Sequence, residues 1–217
     1  IKQWGIHPKK LSKEITGRLA IRYNRNPYYV KEKTRLMPKK GFTAMFSKMI
    51  KNKNIKLKLN TDFYKIKNDI SFKHFMIYTG EPDRFFDFKY GKLNWRSLNF
   101  KFNTYKKNKI QNCVQYNYPN DYKFTRTVEI KHVTKQKSKY TVISKEFPKS
   151  KGDPYYPISD KRNLNMYKKY EKLITREKKR NIYFEGRLAK YKYFNTDEVI
   201  ENALTLFNQL KVKYKNI

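Results

Sequence analysis

Ile55-Lys56-Leu57-Lys58-Leu59 alternates apolar and basic residues with a period of two, which predicts a strand with one buried and one wet face. Further short runs follow it. Phe75 to Tyr78 is apolar, and Leu98 to Phe102, Cys113 to Tyr118, Thr127 to Val133 and Tyr140 to Lys145 have strand character, with connections rich in Asn, Asp, Lys and Gly. That makes about six strands, with no long helix between the last four, and consecutive strands joined in this way pair antiparallel. Helical patterns frame them. Pro8 opens a short helix through Leu11 and Ile15, Thr43 starts another through Met45, Phe46, Met49 and Ile50, and Phe85 to Phe88 reads as a helical turn. Leu164, Tyr167, Tyr170, Leu173 and Ile174 form one helical stripe, and Ile182-Tyr183-Phe184 reads as a short buried strand. A last helix starts near Thr196, with Asn195 and Glu198 spaced as a capping box, and is expected to bury Ile200, Ala203, Leu204, Phe207 and Leu210. The fold class is therefore α+β, an antiparallel sheet of about six strands flanked by helices.

The 217 residues suffice for one domain with a sizeable core or for two small ones. Only 38% of residues are hydrophobic but 17% are aromatic, so Tyr and Phe must supply much of the core. No apolar run approaches the roughly 20 residues of a membrane span, and no signal-peptide pattern opens the chain. Cys113, the single cysteine, excludes an internal disulfide and suits a reducing compartment. His7, His74 and His132 show no metal-ligand spacing among themselves or with Cys113, so no metal site is expected. The chain has no P-loop, no Gly-x-Ser-x-Gly and no Gly-x-Gly-x-x-Gly, and nothing in it marks a side-chain nucleophile.

A net charge of +34 fits a surface that releases counterions from a polyanion, either a nucleic acid or another anionic surface. Compositional drift is the preferred reading, with the lysine excess expected to lie outside the cleft as a solvated coat. Lys, Asn, Ile, Tyr and Phe are over-used together, all have A/T-rich codons, and the lysines are spread along the chain rather than confined to a tail.

Chemistry concentrates in four segments: Lys2-Gln3-Trp4-Gly5, Lys92-Leu93-Asn94-Trp95-Arg96-Ser97-Leu98, Pro154-Tyr155-Tyr156-Pro157 and Gly186-Arg187-Leu188-Ala189-Lys190-Tyr191-Lys192-Tyr193. Each pairs a cation or its neighbour with aromatic rings. A ring face carries a nucleobase, a guanidinium clamps a phosphate with two parallel bonds, and a tyrosine hydroxyl donates to a phosphate oxygen. Together they suit a nucleotide-sugar diphosphate. The corner made by the strand at Ile182, the Gly186-Arg187 turn and the capped helix beginning at Thr196 also gathers free N–H groups and positive dipole.

In order and spacing these segments resemble the UDP-galactopyranose mutase family, flavoenzymes that interconvert the pyranose and furanose rings of UDP-galactose. The resemblance runs from Ile1 to about Phe207 and covers the later part of the family, without its Gly-rich flavin-binding motif. The chain begins inside a matched motif, so it is expected to be the later two-thirds of such a protein. The resemblance implies that Trp4 lies near the uridine and sugar. It places Arg18, in Gly17-Arg18-Leu19-Ala20-Ile21-Arg22-Tyr23-Asn24, on a mobile loop that closes over the diphosphate, with Ala20 where the family has proline. It makes Tyr29 a phosphate-binding tyrosine, although Arg25 and Pro27 depart from the usual acidic and amide neighbours. Arg96 bridges the diphosphate beside the flavin, Tyr156 and Tyr193 contact phosphate, and Arg187 lies near flavin and sugar. The resemblance implies that Arg96 and Arg18 carry the catalytic roles. Gly186, Arg187, Asn195 and Thr196 form the cofactor-binding corner, where Asn195 replaces the family's aspartate.

The implied domains are a loop and helix region over residues 1–54 with the mobile substrate loop, an antiparallel substrate domain over 55–150, and a return segment over 151–217 that completes a flavin-binding Rossmann-like domain. The implied cofactor is FAD, active when reduced and acting through a flavin N5–sugar adduct. It is expected not to stay on this chain alone. The implied partners are UDP-galactose, the N-terminal flavin-binding part and a second copy in a homodimer. A cytoplasmic location and a role in cell-surface polysaccharide biosynthesis follow from the same resemblance. A catalytically incomplete UDP-sugar-binding fragment and a basic nucleic-acid-associated protein remain the alternative readings.

If drift explains the charge, nucleic-acid binding is weak, indifferent to sequence and lost with salt. Filter binding of short duplexes between about 50 and 200 mM salt should fall with a log–log slope of about −0.9 per phosphate neutralised. Tight, sequence-selective binding at the high-salt end would promote the nucleic-acid reading.

Overall fold

The computed structural model describes residues 1–17, 23–25, 34 and 36–214, with Glu14 and Thr16 described by backbone alone. Arg18 and Tyr29 lie outside the described residues. In chain order the elements are α1 (Lys13–Thr16), α2 (Gly41–Met49), α3 (Phe63–Ile66), β1 (Met76–Tyr78), α4 (Pro82–Phe85), β2 (Trp95–Tyr105), β3 (Gln115–Asn117), β4 (Arg126–Val128), α5 (Lys131–Thr134), β5 (Thr141–Lys149), β6 (Tyr156–Pro157), α6 (Lys161–Glu177), β7 (Ile182–Phe184), α7 (Gly186–Ala189) and α8 (Thr196–Lys213). Short 3-10 turns occupy Pro8–Lys10, Lys67–Asp69 and Lys178–Arg180.

The chain divides into two compact units. The first comprises Ile1–Ala20, Phe72–Asn99 and Pro148–Ile217, and the second comprises Ile21–Ser71 and Phe100–Phe147. The antiparallel sheet has the order β3-β4-β5-β2-β6, and its two long strands, β2 and β5, each contribute residues to both units. The architecture is α+β, as expected, with five strands in this sheet rather than six.

Three differences from the sequence expectation have physical causes. Residues 55–59 form no strand, and Ile55, Leu57 and Leu59 are exposed, because alternation specifies a face but not a partner and no described strand pairs there. The run from Thr127 to Val133 is strand only to Val128, after which buried Glu129 ends the ladder and α5 begins. Phe75 to Tyr78 does yield β1, but β1 pairs in parallel with β7 through Met76↔Ile182, Ile77↔Tyr183 and Tyr78↔Phe184, outside the antiparallel sheet.

The core of the first unit is aromatic. Leu93, Tyr170 and Tyr191 are buried together, with Phe86, Trp95, Met166, Tyr167 and Leu173 packed around them. Tyr78, Phe85 and Phe184 form an adjoining ring cluster with centroids 4.7 to 5.1 Å apart. A tyrosine core requires partners for its hydroxyls. Tyr170 donates to the Gly91 carbonyl at 2.7 Å and accepts the Tyr90 N–H at 3.0 Å. The Tyr191 hydroxyl lies 2.6 Å from the Asn94 carbonyl and 3.1 Å from that of Ile158. Burial raises the pKa of both phenols, so they remain neutral donors. α6 presents Tyr170 after an N-terminus capped by Asp160, whose carboxylate accepts the Asn163 N–H at 2.7 Å.

α8 carries the expected capping box, in which Glu198 accepts the Asn195 N–H at 2.5 Å. Its apolar stripe differs from the expectation. Leu210 is buried, whereas Ile200, Ala203, Leu204 and Phe207 are exposed, because no described element covers that face. No helix among the described residues is long and apolar enough to cross a membrane.

The described residues of the second unit include a buried polar node. Glu129 is fully buried and accepts hydrogen bonds from Thr141 Oγ1 (2.5 Å) and from the N–H groups of Gln111 (2.7 Å) and Ile110 (3.1 Å). His132 Nε2 lies 3.3 Å from the same carboxylate. Lys131 Nζ beside it donates to the carbonyls of Asn108, Ser138 and Tyr140 at 2.6 to 3.1 Å. Burial alone would push the Glu129 carboxyl up, but the bonds from Thr141, Gln111 and Ile110, with His132, outweigh it, and the net shift is downward. A carboxyl held below its unfolded value contributes stability above the unfolded pKa and loses that contribution as pH falls through the folded value.

Glu129→Gln should therefore destabilise the chain by about 1.5–3 kcal/mol near neutral pH, the scale of hydrogen bonds to a charged group. The difference from wild type should shrink as denaturant midpoints are measured toward acid, below the ordinary glutamate range of about 4. An undiminished gap in acid would show that the charge is not what holds the node.

Candidate functional site

β2 and β6 pair with Trp95 opposite Pro157 and Arg96 opposite Tyr156. Successive residues of a strand point to opposite faces. Trp95 thus turns into the core, its ring 4.8 Å from that of Tyr191, while Arg96 and Tyr156 share the other face. Arg96 is 5% exposed. Its Nε donates to the Gln3 carbonyl at 3.0 Å, Nη1 to Ser150 Oγ at 2.8 Å and Nη2 to the Lys2 carbonyl at 3.3 Å. Burial lowers its pKa and Tyr156 acts in the opposite sense, yet a guanidinium so far above neutrality stays charged.

The segment from Ile1 to Gly5 folds over this guanidinium, closed by a bond from the Gly5 N–H to the Ile1 carbonyl at 2.7 Å. Gly5 takes φ +70°, and a Cβ there would stand 2.8 Å from Arg96 Nη1. Both the backbone sign and the close approach require glycine. The fold sets Trp4 beside the sheet. Its ring lies 5.4 Å from Tyr156 and 6.4 Å from Tyr193, and those two tyrosines are 6.0 Å apart, so three rings from three distant segments form one triangle.

Arg187 joins them from α7. Its guanidinium sits 4.4 Å over the Tyr193 ring. Nε donates to the Phe194 carbonyl at 3.2 Å, Nη1 to the Tyr155 carbonyl at 3.2 Å, and Nη2 to the Phe194 carbonyl. Tyr191 adopts φ 45°, a left-handed conformation, which sends its own ring into the core.

Trp4, Arg96, Tyr156, Arg187 and Tyr193 are thereby brought together within the first unit, while Arg18 and Tyr29 lie outside the described residues. Arg96 and Arg187 each donate to neutral acceptors, and neither makes an ion pair with a carboxylate among the described residues. Of five N–H donors on each guanidinium these bonds engage three. The cations keep their charge and spare donors, the chemistry that a diphosphate needs. Gly186 and Arg187 follow β7, and Asn195 and Thr196 sit exposed at the start of α8. Among the described residues no His, Cys, Asp or Glu cluster could hold a metal.

Sequence reasoning missed Ser150, which accepts from Arg96 inside a turn whose signal is only its Ser, Gly, Asp and Pro content. It also missed every carbonyl acceptor, since a carbonyl has no residue type.

The profile of the UDP-galactopyranose mutase family matches residues 1–193. The chain is 35% identical over 209 residues to the "Probable UDP-galactopyranose mutase" of Klebsiella pneumoniae, covering 94% of this chain and 53% of that one. It is 32% identical over 212 residues to the dTDP-fucopyranose mutase of Escherichia coli, covering 94% and 56%. The UDP-galactopyranose mutase of Mycoplasma pneumoniae is 32% identical over 228 residues, covering 97% and 57%. The chain belongs to the UDP-galactopyranose mutase family, and it spans 53 to 57% of the length of these relatives.

Gly5→Ala should destabilise the chain by about 1–3 kcal/mol, combining an unfavourable left-handed alanine with overpacking against Arg96. Urea unfolding would measure it. A change of less than about 0.4 kcal/mol, the smallest gain expected of an unstrained Gly→Ala, would mean that this contact imposes no constraint.

Proposed function

We propose that this chain forms the nucleotide-sugar side of a UDP-galactopyranose mutase, an isomerase that interconverts UDP-galactopyranose and UDP-galactofuranose. The observation that carries the reading is the pair of uncompensated guanidiniums, Arg96 and Arg187, beside the rings of Trp4, Tyr156 and Tyr193. Trp4 offers a face for base or sugar. The two arginines and the hydroxyls of Tyr156 and Tyr193 take the diphosphate. Arg18 and Tyr29, both outside the described residues, complete the set, with Arg18 closing over the phosphates. In this reading residues 55–150 serve as the substrate domain, residues 1–54 supply the closing loop, and residues 151–217 return to a flavin-binding Rossmann-like domain.

The corner that would receive FAD fits an electron-rich ring in its donor chemistry. Arg187 is cationic, Gly186 precedes it, and Asn195 and Thr196 open an 18-residue helix whose dipole is positive at that end. The capping box engages the Asn195 N–H and, through the Asn195 side chain, the Glu198 N–H, which leaves the Thr196 and Asp197 N–H groups for a ligand. When bound and reduced, FAD supplies the nucleophilic chemistry at the anomeric carbon. The chain's own residues bind the diphosphate, orient the sugar and hold departing UDP close enough to return.

β1 and β7 are a two-stranded parallel sheet, and such sheets are stable when extended and covered on both faces. Their open edges and the exposed stripe Ile200, Leu204 and Phe207 of α8 suit a flavin-binding part that adds strands there. FAD is therefore not expected to stay on this chain alone, which would then act as a UDP-sugar-binding unit. A cytoplasmic site of action and a homodimer complete the reading.

UDP should bind better than UMP, because the second phosphate engages the arginines and tyrosines. Arg96→Ala should weaken UDP by about 1.5–3 kcal/mol, the scale of a hydrogen bond to a charged group, with UMP less affected. Titration calorimetry with UDP, UMP and dTDP measures all three. Equal affinity for UDP and UMP would refute the clamp, and a preference for dTDP would move the substrate toward that of the Escherichia coli relative.

A further inference from the structure

We propose that Glu81 is the acid–base group of the sugar crevice, carrying the hydroxyl proton that must move when the hexose ring opens on one oxygen and recloses on another. The inference rests on the mutase reading above and adds a residue that no motif assigns.

Topology puts Glu81 at the carboxyl end of the β1–β7 pair, the end where the Arg187 turn also begins. Parallel strands bind ligands in the crevice beyond their carboxyl ends. β1 and β7 end in register at Tyr78 and Phe184, and the Glu185 N–H donates to the Tyr78 carbonyl at 3.0 Å, which holds the two strand ends together. Glu81 stands three residues past the end of β1, as Arg187 stands three past the end of β7. The two are equivalent positions on neighbouring strands. The Tyr78 hydroxyl donates to the Glu81 carbonyl at 3.0 Å and fixes that turn. Asp153 repels the Glu81 carboxylate, and it lies two residues before Tyr155, whose carbonyl accepts from Arg187.

Of the neighbouring carboxylates, Asp83 is buried with Oδ1 unpartnered among the described residues and Oδ2 engaged, and Glu185 is engaged. Asp83 Oδ2 accepts the Leu93 N–H at 2.8 Å, and Glu185 pairs with Lys190 at 3.1 Å and accepts the Gly186 N–H. The half-buried Glu81 carboxyl makes no hydrogen bond or ion pair among the described residues. The charged groups facing it are Asp83, Arg84 and Asp153. Burial raises its pKa, Asp83 and Asp153 raise it further, and Arg84 opposes them. Such a carboxyl exchanges protons closer to neutral pH than an ordinary glutamate.

The reaction needs that exchange. Ring contraction breaks the bond from the anomeric carbon to O5 and forms one to O4. O5 must gain a proton and O4 must lose one, with no change of oxidation state. A Glu81 carboxylate that accepts the O4 proton, and a carboxyl that returns a proton to O5, balance the step in both directions.

The test uses the full chain with carboxyl-labelled glutamate, titrated by carbon NMR with and without saturating UDP. Glu81→Gln identifies the resonance, and Glu81→Asp stands in if that variant does not fold. Glu81 is expected to titrate above the ordinary glutamate range, and UDP should move its midpoint upward, because a diphosphate alongside disfavours the carboxylate. In the flavin-loaded full-length enzyme, Glu81→Gln should lower kcat about 100-fold or more with UDP affinity unchanged, and Glu81→Asp should recover part of it. UDP that binds without moving the Glu81 titration overturns this inference alone. Failure of UDP to bind overturns the mutase reading and this inference with it.

Discussion

The first unit depends on how the backbone of residues 90–94 is held. This segment leads into β2, yet it is neither strand nor helix, so its polar groups need partners from elsewhere. Tyr170 satisfies Tyr90 and Gly91, Asp83 takes the Leu93 N–H, Asn163 Oδ1 takes the Asn94 N–H at 3.3 Å, and the Tyr191 hydroxyl and the Ile158 N–H meet the Asn94 carbonyl. Those partners come from α4, the residue after β6, α6 and the segment after α7, far apart in sequence. Fixing residues 90–94 therefore fixes those elements against one another. It also fixes the parity of β2, which sends Trp95 inward and Arg96 to the opposite face.

From that parity the setting of Arg96 follows. Arg96 reaches its position with little solvent around it, and three acceptors hold its planar group in one orientation. A buried arginine costs much in desolvation unless its donors are met. The segment from Ile1 to Gly5 meets them with carbonyls and in doing so carries Trp4 to Tyr156 and Tyr193. Orientation of the cation and placement of the ring are one structural event, which is why Gly5, two positions from the nearest carbonyl partner, belongs to the site.

Much of this was legible in the residues themselves. Arg96, Tyr156, Arg187, Tyr193 and Trp4 are side chains whose chemistry and flanking motifs mark them, and they converge. The capped start of α8 was equally legible, because a cap is a local bond. The failures share a different cause. Periodicity at Ile55, Leu57 and Leu59, and again at Ile200, Leu204 and Phe207, identifies a face able to pack but not what packs on it. The parallel pairing of β1 with β7 joins segments more than 100 positions apart, and no local pattern encodes it. Glu81 escaped notice because a lone carboxyl in a turn carries no spacing signal, and its setting is created by the fold.

The charge of the chain bears on the clamp in an unexpected way. With 52 basic and 18 acidic residues, carboxylates are scarce, and those near the described ion pairs are spent on Arg126, Arg180 and Lys190. Arg96 and Arg187 are instead satisfied by carbonyls and a serine hydroxyl. A carboxylate partner would have oriented each guanidinium as well, but it would have cancelled the positive potential that a diphosphate seeks. Neutral acceptors orient the cation and leave its field intact. The lysine coat adds little to this, because exposed charges beyond about 8–10 Å are screened at physiological salt. In the proposed clamp, affinity for a nucleotide diphosphate should thus depend on buried Arg96 and on Arg187 and far less on the remaining positive charge, and it should survive salt that strips a polyanion from the surface.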